Sequence, residues 1–298
     1  MRRLRVFGWV VGLWVLAAAG VFSRLDAQAP ASAPLPEAET FFAEARARLT
    51  GNDVMQSRFS YKERSTELNL NPFGRMGTGP VVVAEVYPSP GDGLTYRRIL
   101  ERDGRPVPAA EIAEQDRKFR ERYDEWGKQL AREGQSARDA RLKKDAEMRQ
   151  KELGQLAEAI DLFDFTLVGR STWEGQPAIV VAFTPKPNAK ARTRDGRLAQ
   201  GFAGRAWIHE FQYEVLHVNA IAVDDVTFGY GMIARLNSGS VVEFTRRWVE
   251  GAWYPVETRF QGTGRALIFR RVVLDYRRSY YDYHPYSPEQ LPDRLGWK

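Results

Sequence analysis

The sequence predicts an α+β protein that is mainly β, in which a strongly curved antiparallel sheet forms an unclosed half β-barrel. Three observations predict it. Strand-like runs of roughly ten residues, about twice the usual length, fill most of the chain after residue 160. Short separators join these runs, as in hairpins rather than βαβ units. Long strands joined by tight turns twist and curl, so the sheet is expected to have a concave face.

Residues 1–27 have the pattern of a signal peptide. Three arginines precede an uncharged run from Val6 to Phe22, and small residues follow. Cleavage is expected after Ala27, because Pro30 disfavours a later cut. An uncleaved membrane anchor is the alternative. Both readings place the rest of the chain outside the cytoplasm, and we expect a periplasmic protein without a transmembrane segment in its mature part.

The composition excludes several classes of protein. No cysteine occurs, which excludes disulfides, thiol chemistry, cysteine-ligated zinc and the lipidated cysteine of a lipoprotein. The net charge of +6 falls to about +3 without the leader, which carries four arginines and one aspartate. Basic and acidic residues are interleaved elsewhere, so no nucleic-acid partner is expected. We also expect no cofactor.

The chain between the leader and residue 108 begins with an Ala/Pro-rich tether at 28–36. A single β domain is expected over 37–298. It starts with a short amphipathic helix at 37–49, whose apolar residues recur at helical spacing before Gly51. Three strands are predicted next, at 54–70, 81–87 and 94–101.

The segment 109–160 differs from the rest of the chain. It is dense in Glu, Lys, Arg, Gln and Ala, lacks proline, and has four apolar residues at three- and four-residue steps: Phe119, Tyr123, Trp126 and Leu130. We predict one or two helices inserted into the β protein, as an amphipathic lid or hairpin. A coiled-coil partner helix is the alternative, although glycines at 127, 134 and 154 interrupt its seam.

Strands are predicted almost to the end of the chain after residue 161. Gly262-Thr263-Gly264 and the other short separators are expected to form hairpin turns. The predicted strands are 165–173, 178–184, 202–211, 213–223, 226–236, 240–250, 252–261 and 265–278.

Alternation sorts the faces of two of these strands. One side of the predicted strand 226–236 carries Val226, Phe228, Tyr230, Met232 and Ala234. One side of the predicted strand 240–250 carries Val242, Phe244 and Trp248. These apolar side chains also fit an ordinary core. As the lining of an apolar ligand site, the candidates are Phe228, Tyr230, Met232, Val242, Phe244 and Trp248.

Three short motifs resemble the LolA-like superfamily, which includes the periplasmic carrier and receptor of outer-membrane lipoproteins and the regulator RseB. They are Gly204-Arg205-Ala206-Trp207-Ile208, Gly229-Tyr230-Gly231 and Gly251-Ala252-Trp253-Tyr254-Pro255. The resemblance covers roughly residues 160–285. It implies an unclosed barrel covered by helices, with an apolar cavity that accepts acyl chains. The insertion at 109–160 and the Tyr-rich tail depart from that pattern, and no lipoprotein-binding residue matches a particular position.

Sites for other chemistry have simpler explanations. His209 and His217 are near several carboxylates in sequence, but their spacing matches no ligand pattern, so no metal is expected. Asp224 and Asp225 are typical of a turn, although one of them is a candidate carboxylate for a hydrolase. The tail at 276–286, with five tyrosines, fits a closing strand, or a surface that stacks on bases, sugars or a membrane interface.

The leading hypothesis is noncatalytic binding or carriage of an apolar ligand, a lipid or lipoprotein acyl chains, in the concave sheet. The alternative is an envelope protein-interaction or sensor module that captures a protein partner through the charged insertion. No nucleophile elbow, phosphate loop or zinc-peptidase motif occurs, and we do not expect an enzyme.

Overall fold

A computed structural model describes residues 34–49, 58–69, 77–89, 94–228, 234–266 and 270–297. The predicted signal peptide and most of the tether lie outside these residues, as do Tyr230 and Met232. The helices are α1 (Ala38–Leu49), α2 (Ala109–Ala131), α3 (Gln135–Asp161), α4 (Arg194–Ala199) and α5 (Leu291–Arg294).

The strands before the insertion and those after it are part of a 13-stranded sheet. Those before it are β1 (Phe59–Asn69), β2 (Gly77–Tyr87), β3 (Tyr96–Arg102) and β4 (Arg105–Pro106). Those after it are β5 (Phe163–Trp173), β6 (Gln176–Pro185), β7 (Phe202–His209), β8 (Val215–Ala222), β9 (Val226–Phe228), β10 (Ala234–Leu236), β11 (Val241–Val249), β12 (Ala252–Ala266) and β13 (Arg270–Pro285).

The predicted fold class is confirmed: the protein is α+β, mainly β, with an open and mainly antiparallel sheet. The chain divides into two compact units. Unit 1 contains Met1–Asn52, Leu68–Gly79 and Gln155–Arg278, and unit 2 contains Asp53–Glu67, Pro80–Gly154 and Ser279–Lys298. Strands β1, β2 and β13 have residues in both. A single domain over 37–298 stays a prediction.

Unit 1 is a meander with α1 and the short helix α4, and it also contains the end of α3. Its strand order is β5-β6-β7-β8-β11-β12-β13, and β9 and β10 form a small hairpin beside β12. Register shifts occur in the pairs β5–β6, β7–β8 and β11–β12. Such bulges bend a strand and increase its local twist. The predicted N-terminal helix is confirmed as α1, in which Phe41 is 1% exposed.

Unit 2 is built around the first helix of the insertion. Gln115 of α2 bonds both backbone groups of Ile99 on β3, donating from its Nε2 and accepting at its Oε1. The ring of Phe119 stacks on Tyr96, with centroids 4.2 Å apart. Because Phe119 is 1% exposed, α2 is part of a core rather than a solvated lid.

The second helix of the insertion is solvated over most of its length. Between Gln135 and Gln150 every residue of α3 is exposed except Arg141 and Asp145, which are half-buried. Leu142 and Met148 are about half exposed there. Among the described residues, no helix is both long and apolar enough to cross a membrane.

Two parts of the strand prediction are wrong, namely one strand and one turn. The run 226–236 is not one strand but the antiparallel pair β9 and β10, in which Phe228 lies opposite Ala234. Residues 262–264 are not a turn, because β12 continues through them and Gly264 pairs with Leu236. A Cβ at Gly264 would overlap the carbonyl oxygen of Arg235, so glycine is needed for this close approach rather than for a turn.

Candidate functional site

The candidate site of unit 1 is the apolar layer between its sheet and α1. Eighteen buried residues form this cluster, most of them from β5–β8 and β11. From α1, the Phe41 ring lies 5.5 Å from that of Tyr213, and the Phe42 ring lies 5.7 Å from that of Phe165. We call this layer the α1 face.

The six predicted lining residues have different positions. Val242 is buried in the α1 face and Phe244 packs against it, half-buried. Phe228 is the last residue of β9, and Tyr230 and Met232 lie outside the described residues. Trp248 is 52% exposed and is not part of the α1 face. The prediction that all six line a ligand site stays a prediction.

Polar contacts are made near both ends of α1. Glu37 begins the helix by accepting hydrogen bonds from the backbone of Glu39 and Thr40, at 2.9 and 2.6 Å. A hydrogen bond from the side chain of Thr40 has the largest effect in lowering the pKa of the Glu37 carboxyl, and these two backbone bonds lower it further. At the other end, Arg46 forms an exposed ion pair with Asp161. Exposed ion pairs contribute little, so burial of Phe41 and its neighbours is the main force on the helix.

A second group of residues lies at one end of the unit 1 sheet, where three hairpins turn. The β5–β6, β7–β8 and β11–β12 turns are at 174–175, 210–214 and 250–251. We call this the hairpin end. Trp173, Trp207 and Trp253 surround a small buried cluster there with Ala178 and Leu216. The sequence contained a signal for this cluster, namely four tryptophans near predicted turns. The predicted apolar lining on one side of the sheet did not use that signal.

His217 is buried against these tryptophans. Its ring stacks on Trp173 with centroids 3.8 Å apart and planes 9° apart. Its Nδ1 lies 3.0 Å from the Oγ1 of Thr245. Burial lowers the pKa of the His217 imidazole to about 4, against the weaker opposing effects of the Phe244 backbone and Glu174. The ring is therefore neutral near pH 7.

The other candidate residues, His209 and Asp225, make hydrogen bonds that stabilise turns. His209 is 5% exposed, and its Nδ1 accepts hydrogen bonds from the backbone of Phe211 and Gln212, both at 3.2 Å. Asp225 accepts a bond from the backbone of Ser238 at 2.7 Å and pairs with Arg235. Within the described ranges, no group of three potential metal ligands comes together.

The helical insertion bears an open polar groove of about 860 Å³. It is lined by α2 and the start of α3, with four acidic and two basic side chains. Glu133 is paired there with Arg141, at 2.9 Å, which lowers the pKa of the Glu133 carboxyl. The groove is too polar to receive an acyl chain. Its residues are Glu121, Asp124, Glu125, Lys128, Gln129, Arg132, Glu133 and Ala137.

Comparison with known proteins gives two solved structures of low similarity. One is a LolA superfamily protein, NE2245 from Nitrosomonas europaea, with 10% identity, 88% of this chain and 97% of that chain covered, and a TM-score of 0.26. The other is MucB in complex with MucA(peri), with 12% identity, 84% and 100% covered, and a TM-score of 0.19. No protein-family model and no curated protein matches the chain. At these TM-scores the fold class rests on the chain's own strand order and register.

Proposed function

We propose that the protein binds an apolar ligand without catalysis, in the periplasm, in the space that α1 occupies. The ligand class is a lipid or the acyl chains of a lipoprotein. The observation that supports this is the cover of the α1 face: among the described residues, the 12-residue helix α1 supplies Phe41 and Ala45 to the eighteen buried ones, most of which come from the strands. A ligand that displaces α1 meets an apolar surface already made by the strands.

The exchange is energetically feasible. Exposing one buried phenylalanine costs about 1.5–3 kcal/mol, and burying one methylene gains about 0.8 kcal/mol. An acyl segment of about four methylenes therefore offsets the loss of Phe41 from the α1 face. A chain of a dozen methylenes leaves a surplus that also offsets the release of Phe42 and Ala45.

The first test is a native mass spectrum of the chain from Gln28, exported, purified without detergent and then extracted with solvent. A retained mass of several hundred daltons that extracts as lipid supports the proposal. A chain that stays in its apo form after incubation with palmitate contradicts it.

The second test removes the competing side chain. In Phe41→Ala, an environment-sensitive acyl probe, dansyl-undecanoic acid, is expected to bind at least tenfold more tightly, because the α1 side chain that competes for the site is smaller. Phe211→Ala is the matched control, since Phe211 is 69% exposed and outside the α1 face. Equal probe affinity in Phe41→Ala and the parent protein would contradict the role of α1.

A second candidate function is recognition of a protein partner, and the exposure of α3 supports it. Deleting 109–160 is a poor test, because it removes Phe119 from the core of unit 2. A better test places a photo-crosslinking amino acid at residue 144 of α3, where it is expected to crosslink a partner protein in cells. Leu142→Glu and Met148→Glu are each expected to abolish that crosslink. Lys151→Glu is the control, since it changes charge at an exposed residue of α3 without removing an apolar side chain. A crosslink that survives both apolar replacements contradicts the idea.

A further inference from the structure

The hairpin end of unit 1 presents two protruding aromatic rings to solvent. Phe211, in the β7–β8 turn, is 69% exposed, and Trp248, one residue before the end of β11, is 52% exposed. Both rings rest on buried ones: Phe211 lies 6.2 Å from His209, and Trp248 lies 5.6 Å from Trp253. The rings of His209 and Trp253 are 5.8 Å apart, so the four form a continuous row.

Three ion pairs lie beside this row, and Glu250 of the β11–β12 turn adds one exposed carboxylate. Arg170 donates to Glu210 at 2.7 Å, and the buried Arg246 donates to Glu214 at 2.8 Å. A third pair joins Glu174, in the β5–β6 turn, to Arg247 through two hydrogen bonds of 2.5 and 2.6 Å. The surface beside the exposed rings therefore carries little net charge.

The size of the exposed apolar surface distinguishes between partners. A stable protein interface buries roughly 800 Å² on each partner, far more than two separate side chains supply. A bilayer interface, by contrast, accepts individual Trp and Phe rings at headgroup depth and needs no complementary shape. The three ion pairs allow that approach, because neither member of a pair has to meet the headgroups as an isolated ion.

We propose that the hairpin end docks on the surface of a lipid bilayer, with Phe211 and Trp248 inserted among the headgroups. This extends the proposed function, since a carrier of acyl chains has to meet a membrane to exchange them. Binding to the surface uses residues outside the α1 face, so the two activities are separable.

The test is co-sedimentation of the mature chain with vesicles of pure palmitoyl-oleoyl phosphatidylcholine, and of 3:1 phosphatidylethanolamine and phosphatidylglycerol. Phe211→Ser and Trp248→Ser are each expected to lower the partition coefficient roughly tenfold. Val223→Ser is the matched control, because Val223 is 48% exposed at the opposite end of β8. Circular dichroism confirms that the variants are folded.

Three results would overturn the proposal. They are an absence of sedimentation of the parent chain, equal loss of binding in Val223→Ser, and binding to anionic vesicles alone that 0.5 M salt removes. Dansyl-undecanoic acid affinity separates this proposal from the first one. Vesicle binding without probe binding would support the docking surface and contradict the acyl site. Probe binding without vesicle binding would support the acyl site and contradict the docking surface.

Discussion

The stacked imidazole of His217 makes a quantitative prediction about stability and pH. Its pKa is about 4 in the folded protein, because burial disfavours the charged ring, and about 6.5 when the chain is unfolded. As the pH falls, the unfolded chain takes up the proton first. The contribution of His217 to stability is therefore complete above pH 6.5 and is lost progressively as the pH falls to 4.

The magnitude follows from the two pKa values. One pKa unit corresponds to about 1.4 kcal/mol, so the full loss is about 3 kcal/mol, most of which is reached by pH 4.5. The assay is urea unfolding of the parent protein and of His217→Phe at pH 7.5 and pH 4.5. Phenylalanine keeps a ring against Trp173 but does not titrate, and the loss of the contact with Thr245 lowers stability equally at both pH values.

Titration of the carboxylates is common to both proteins and cancels in the comparison. The free energy of unfolding of the parent protein should therefore fall by about 2–3 kcal/mol more than that of His217→Phe between the two pH values. Equal pH dependence of the two proteins would refute the assignment of a neutral, buried His217.

Other substitutions test packing in each unit. Gly264→Ala should destabilise the β10–β12 pairing, because its Cβ overlaps the carbonyl of Arg235, and faster amide exchange at Leu236 is the readout. Phe119→Ala should lower the free energy of unfolding by about 3–5 kcal/mol in a urea titration, whereas Leu142→Ala, on the solvated α3, should change it by less than about 1 kcal/mol. Arg246→Met should cost about 3–5 kcal/mol by the same titration, because the largely buried Glu214 loses this ion pair and the carbonyl oxygen of Trp253 loses its hydrogen bond from Arg246; unchanged stability would contradict that ion pair.

The sequence was sufficient for the fold class because hydrophobic alternation and turn residues are local signals. It predicted α1, the two helices of the insertion and most of the long strands of unit 1. It failed at Gly264, where glycine marks a close approach of β10 to β12 rather than a turn. That distinction depends on a partner strand almost thirty residues away, which no local pattern encodes.

The candidate site was predictable in part for the same reason. Alternation correctly joined Val242 and Phe244, but it also included Trp248. Alternation assigns a side of the strand but not how far along it a cluster extends, and Trp248 lies beyond the α1 face, one residue before the end of β11. The aromatic surroundings of His217 were missed because they come from turns and strands far apart in the chain.

The aromatic cluster of unit 2 is completed by residues 286–297, which lie far along the chain from α2. Tyr286 and Leu291 are buried in it, and the ring of Trp297 lies 6.0 Å from that of Phe119. During synthesis, α2 therefore exists for well over a hundred residues without the side chains that finally enclose it. The delay keeps unit 2 incomplete until residues 286–297 have been made, and a truncation before Tyr286 would remove buried core side chains.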